Sequence, residues 1–501
     1  MDLRLRAVVD LNVAEMRELG GRHEYDGEVQ DLSPDGVARG LAALSPDERR
    51  ADPYDEAVLV AFEEHARVVY GELEFHRINP LWHVGNLDLA CYDRDYAPAD
   101  ERRQARRRHL EKWPDAVDAA IGALDRISAP VAEATLGAVR GLAAGLDDSD
   151  PLEGAALTAL QRLVGHVERA AANGNPDAAL GAAGLTRYLG SAEATEVDLS
   201  ALSELADRER DRLREMLDRA CQRLSPGRPT ADTFTELLRD HPDAAGVLDE
   251  ARALTEEVIA WTREHDLAPY HDGECLVGPA PESRRWAMAM MSWAAPGEPE
   301  GPSWYHVTPP DPCWPAADQE EWLSVFSRTT LPSITVHEVA PGHFSHGLAM
   351  RRAATDVRQL LGSASFAEGW AHYVEEVAVE EGFRAGDPRF AAGVAQEALV
   401  RVTRLACSIG LHTTAMTVEE AAQRFAADAF LPGPAALSEA RRGTFDPGYG
   451  RYTWGKLEIL GLRERARAEW GDDFSLPRFH RAMLDLGSPP LGLLDTAVER
   501  G

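Results

Sequence analysis

Apolar residues recur every three to four positions along most of this chain, the spacing that lines one face of an α-helix. The stretch DPYDEAVLVAFEEHARVVYGELEFHR (52–77) opens on an acidic turn and continues in that rhythm, and LSALSELADRERDRLREMLDRACQRL (199–224) repeats it after a Ser/Asp start. Similar patterns predict helices over about 115–145, 151–172 and 243–265. After an irregular stretch they resume at about 331–353, 364–382, 386–411, 417–428, 450–468 and 475–485. The interruption, 267–318, is rich in Pro, Gly and Trp, and its short apolar runs WAMAMMSW and SWYHV read as strands. The pattern therefore predicts a mainly α protein with a small β-containing insert. An N-terminal helical region (1–266) precedes a second region (267–501), the two forming one continuous unit with two lobes and a central cleft between them.

Composition narrows the partners. The 501 residues are 44% hydrophobic and 7% aromatic, enough for a large core. Lys and Arg total 52 against 84 Asp and Glu, a formal net charge of −32 that disfavours nucleic acid and anionic membrane surfaces. The first residues, MDLRLRAVVDLNVAEMRELGGRHEYDG, contain no apolar run of signal-peptide length, and no later run approaches a membrane span, so a cytoplasmic protein is expected. The five cysteines are odd in number, far apart and without a C-x-x-C pair, which points away from a disulfide framework or thiolate metal site.

The chemistry concentrates in ITVHEVAPGHFSHG (334–347). His337 and Glu338 open like H-E-x-x-H, in which two histidines one helical turn apart hold zinc and the intervening Glu is a general base, but Pro341 stands at the second histidine's place. His343 comes two residues late and His346 follows. On an ideal helix an offset of six places two side chains about 120° apart, too far to share an ion. Pro341 removes one helical N–H and Gly342 tolerates unusual dihedrals, so a bulge in the helix is expected to return His343 towards His337. A third ligand is expected from the next helix, in SFAEGWAHYVEEVAVEEG (365–382), where Glu368, His372 and Glu375 share a face. Glu375 is a candidate to hold the free nitrogen of a ligand histidine, and His372 to touch substrate or that supporting layer. His346 is an alternative ligand or a solvent-facing residue. Tyr452 and Lys456 lie four apart on a helix. Tyr452 is a candidate donor to a developing oxyanion, and Lys456 or Arg451 a candidate holder of a substrate carboxylate. His412 is a candidate transition-state donor or a core histidine.

HEVAPGH together with EGWAHYVEE resembles the bacterial domain-of-unknown-function family eight-eight-five, metallopeptidases with the signature H-E-x-x-P-G-H followed by E-G-W-A-x-Y-x-E. Weaker echoes, SIGLH and DPGYGRYTWGKLEILGLR, extend the likeness over roughly 300–465. The resemblance implies a mostly helical, zincin-like fold with one Zn2+ on His337, His343 and Glu368 and with Glu338 as base. The sequence departs from the signature at Phe344, where His is usual, at His372, where Leu is usual, and at Ser408, where Asp is usual. These positions bear on substrate preference. The expectation is a zinc-dependent, carboxypeptidase-like metallohydrolase of a small peptide or amide-containing metabolite. Alternatives are a metal-dependent lyase or deacylase of biosynthesis and a non-catalytic metal-binding helical protein.

Overall fold

A computed structural model describes residues 1–44, 49–281, 284–285, 288–298, 300–414, 416–431 and 433–501. The protein is predominantly helical with one small sheet. The predicted helices at 151–172, 199–224, 364–382 and 386–411 appear as Pro151–Asn173, Leu199–Leu224, Ala364–Glu380 and Pro388–Thr413. Their starts carry side-chain caps. Asp150, Asp198, Ser363 and Asp387 each accept a backbone N–H of the first turn, replacing partners a helix N-terminus lacks.

Three expectations need correction. The pattern over 115–145 resolves into two helices, Ala99–Ala123 and Ala129–Gly141. Helices Gly181–Glu193 and Gly433–Phe445 were not predicted, because their Gly and Ala content weakens the apolar rhythm. The stretch 331–353 is broken into Leu331–Glu338 and His343–Met350.

The sheet joins β1 (Cys275–Gly278), β2 (Ala289–Ser292) and β3 (Ser303–Val307) in the order β1-β3-β2, with β1 parallel and β2 antiparallel to β3. It realises the predicted insert; Trp286 and Ala287, at the start of WAMAMMSW, lie outside the described residues. The sheet backs the helix Leu331–Glu338, and the buried Tyr305 hydroxyl of β3 meets Thr335 Oγ1 at 3.3 Å.

One hydrophobic core combines residues from both ends of the chain, including Leu5, Leu59 and Leu213 with Trp370, Leu399, Ile459 and Val498. The helix Leu199–Leu224 packs along Pro388–Thr413, and Ala364–Glu380 along Arg451–Trp470. The second pair crosses at two glycines. A Cβ on Gly455 would lie 1.9 Å from the carbonyl oxygen of Ser365, and one on Gly369 would lie 2.5 Å from the carbonyl carbon of Gly455. The backbones therefore touch, which fixes both the depth and the rotation of the helix that carries Glu368. Among the described residues no helix is long and apolar enough to cross a membrane.

Candidate metal centre

The helix Leu331–Glu338 ends directly after His337, and His343 begins the next helix. The chain between them makes a sharp break rather than a bulge within a continuous helix. Val339 leaves helical geometry (φ −103°, ψ −91°), the Ala340–Pro341 peptide is cis, and Gly342 folds back on the preceding turn. A Cβ at Gly342 would stand 1.9 Å from the carbonyl oxygen of His337, so only glycine fits there. Trp370 Nε1 donates to the Pro341 carbonyl at 2.9 Å and ties the break to the Glu368 helix. The interruption cancels the angular mismatch of the six-residue spacing.

As a result, one ligand atom each of His337, His343 and Glu368 lie within 4.8 Å of one another. His337 Nε2 and His343 Nε2 stand 3.4 and 3.3 Å from the same oxygen, Glu368 Oε2, and the two imidazoles are nearly perpendicular at 87° with centroids 4.8 Å apart. Two imidazole nitrogens and one carboxylate converging on a common point are the donor set that zinc and related divalent ions accept. The other ring nitrogen of His337, Nδ1, donates to Glu375 Oε1 at 2.7 Å, which leaves Nε2 as the free lone pair. Glu375 is fully buried, and its second oxygen accepts from Arg401 at 3.0 Å and Ser333 Oγ at 3.2 Å. His343 Nδ1 is buried with no hydrogen-bond partner among the described residues. The residues present therefore fit a divalent metal.

The electrostatics match such a donor set. Burial works against ionisation of Glu368, yet the two imidazoles hold its carboxyl well below the usual range. Glu375 is likewise held well below by Arg401 and His337 against the cost of burial. For His337, burial and Arg401 oppose the charged form, while Glu368 and Glu375 raise it to about 9 without a metal.

Glu338 follows His337 and is partly exposed. Tyr452 stacks on the His337 ring at 6.5 Å and 27°, with Arg404 and Arg401 over its own ring at 5.0 and 6.0 Å. Its phenol lies close enough to the Arg442 guanidinium for the two to interact electrostatically. Trp293, just beyond β2, turns its edge towards His343 at 6.1 Å and His346 at 5.7 Å.

Other expected residues are placed elsewhere. Lys456 is fully buried and pairs with Glu209 at 2.6 Å and with Glu376, so it holds no substrate carboxylate. His346 is also fully buried rather than solvent-facing. Burial lowers it to about 4, and its Nε2 donates to the Gly487 carbonyl at 3.1 Å. His412 spends both nitrogens on structure, donating to Gly443 O at 2.9 Å and accepting from Leu180 N at 3.3 Å. His372 is fully buried behind the centre, 3.7 Å from Glu375 Oε1, and is lowered to about 4 by burial and by Lys456. Arg451 pairs with Asp446 but stays partly exposed, so it remains a candidate holder of a substrate carboxylate. Sequence reasoning missed Arg401, Ser333 and Trp293. None stands in the two motifs, and only the tertiary packing brings them to the centre.

Residues 15–498 match the family described as bacterial protein of unknown function, DUF885, and the chain belongs to it. The match reaches well beyond the 300–465 over which the motifs alone carry a likeness. Solved structures that share the fold include two bacterial proteins. One, from Shewanella oneidensis, is described as a "putative lipoprotein of unknown function"; it is 20% identical, with a TM-score of 0.78 over 98% of this chain and 97% of that one. The other, a "putative lipoprotein" from Colwellia psychrerythraea, is 18% identical, with a TM-score of 0.81 over 99% of this chain and 97% of that one. No functionally curated protein matches the sequence.

Proposed function

We propose that the protein is a zinc-dependent hydrolase of peptide or amide bonds, zincin-like in the arrangement of its metal helices, with the reacting bond held in a cleft at the centre. The observation that carries this reading is the convergence of His337, His343 and Glu368 with Glu338 adjacent and Tyr452 stacked on His337. A zinc ion held by these three residues supplies Lewis acidity towards a water and a carbonyl. Glu338 takes a proton from the attacking water, whose hydroxyl ends on the acyl carbon. The C–N bond breaks, and Glu338 passes the proton to the departing nitrogen. Tyr452 donates its O–H to the carbonyl oxygen as negative charge builds there. The three protein ligands favour a catalytic over a structural role, since structural zinc sites close with four. The substrate is a small peptide or amide-containing metabolite, and the cytoplasm is the proposed setting.

The test is elemental mass spectrometry of protein purified without chelators or a His tag, beside His343→Ala and Glu368→Ala, coupled to a peptide-library digest. One zinc per chain, lost in both variants, with cleavage abolished in Glu338→Gln, supports the proposal. Absence of metal, or metal retained without His343, overturns it.

A further inference from the structure

The helix Gly433–Phe445 and the loop after it bring an unusual charge arrangement to the edge of the metal centre. Arg442 donates to Asp446 Oδ2 through Nε at 3.2 Å and Nη2 at 3.1 Å. Arg451 reaches the same carboxylate, with Nη1 at 3.2 Å from Oδ2 and Nη2 on Oδ1. Next to them Arg404 makes a two-point pair with Glu439, at 2.7 and 2.6 Å. Arg404 is thus matched by Glu439, while Arg442 and Arg451 share the single carboxylate of Asp446. The side chains of Arg442 and Arg451 remain 31% and 19% exposed, so a ligand can reach them. Tyr452 connects this cluster to the metal centre, its ring stacked on His337 and lying under the Arg404 guanidinium.

Two planar forks sharing one carboxylate are undersupplied with acceptors, and a second carboxylate is the group that completes them with paired, charge-assisted hydrogen bonds. We propose that Arg442 and Arg451, which share Asp446 between them, anchor a substrate carboxylate, so that the substrates are acidic-ended peptides presented to the metal centre across Tyr452. This rests on the hydrolase reading above and adds its substrate class. The anchored carboxylate is the peptide's own C-terminus or an Asp or Glu side chain near the scissile bond, and the test separates the two.

A pool of N-acetylated tripeptides with randomised side chains, made once as free acids and once as C-terminal amides, is incubated with the zinc-supplemented full chain carrying Glu338→Gln. Peptides retained on ultrafiltration are counted by mass spectrometry. Free acids are expected to be retained about tenfold over the amides, a preference that shrinks as salt rises and falls in Arg442→Met and Arg451→Met. Retention of amides only when they contain Asp or Glu assigns the anchor to a side-chain carboxylate. Asp446→Asn removes the internal competitor and is expected to increase retention of acids, a gain that a purely structural role for the cluster would not produce. Equal retention of acids and uncharged amides, or retention of neither, overturns the anchor. Binding is read without turnover, so this failure is distinct from failure of the metal and cleavage tests of the hydrolase reading.

Discussion

Glu375 accepts the Nδ1–H of His337 at 2.7 Å from the same helix that presents Glu368, two turns earlier, to His337 Nε2 at 3.4 Å. One helix therefore addresses both nitrogens of one imidazole, the carboxylate ligand on one side and the orienting carboxylate on the other. Arg401 and Ser333 hold Glu375 in turn.

Replacing Glu375 by Gln keeps the volume and removes the charge that orients His337. Metal affinity is expected to fall about 10- to 100-fold, the usual effect of losing such a partner. Competition with a chromophoric chelator measures it. Unchanged affinity would show that Glu375 serves packing alone.

The helix crossing at Gly369 and Gly455 admits no side chain, so Gly455→Ala must push the Glu368 helix away from Arg451–Trp470. A loss of about 1–3 kcal/mol in stability is expected, as for other overpacked cores. Because the displaced helix carries Glu368, bound metal should fall as well. A variant with normal melting temperature and full metal content would contradict this account of the crossing.

Glu338→Gln and Tyr452→Phe separate the proposed roles of the two groups. Both are expected to retain metal, since neither is one of the three converging donors. Loss of the base should cost about 10²–10⁴ in rate and loss of the phenol about 10²–10³ in kcat. Steady-state kinetics on any substrate found in the library digest would check both.

Glu193 is a buried carboxyl at the end of Gly181–Glu193 that accepts from Ser363 Oγ at 2.8 Å and from Leu491 N at 3.0 Å. Burial raises it to about 7, while the Ser365, Leu491 and Ser363 donors pull it down. The folded state thus binds a proton that the unfolded state, near the ordinary 4.5, has released. Its contribution to stability is fully present below pH 4.5 and is lost as pH rises through about 7. The loss amounts to up to about 3 kcal/mol. Glu193→Gln keeps an acceptor for both donors and removes the titration, so melting temperature should vary less between pH 5 and 7 than in the parent. An unchanged slope would show that Glu193 does not titrate there.

Much of the helical framework was legible because amphipathic periodicity and N-terminal capping are local. Leu199–Leu224 matches its predicted range, and Ala364–Glu380 starts where Ser363 can cap it. The helix bearing Arg442 was not legible, since GPAALSEARRGTF has little apolar rhythm and is held by packing against Pro388–Thr413 and Val418–Ala429. The motifs likewise pointed to His337, His343 and Glu368 but not to how the late histidine returns. Local chemistry at Pro341 and Gly342 allows either a bulge or a break, and the carbonyl of His337, the anchor from Trp370 and the crossing at Gly455 select the break.

The sequence by itself determined the helical class, the insert before the first ligand helix and the three residues able to converge on a metal. The first two follow from residue type and from spacing within a few turns, and the third from the resemblance of the two motifs to the family signature. Only the tertiary structure decided that Lys456 is a buried ion-pair partner, that His412 ties helices together and that Arg442 and Arg451 share Asp446 beside Tyr452. A helix presents polar side chains on all its faces, and which of them reach water, a carboxylate or a metal depends on neighbours hundreds of residues away.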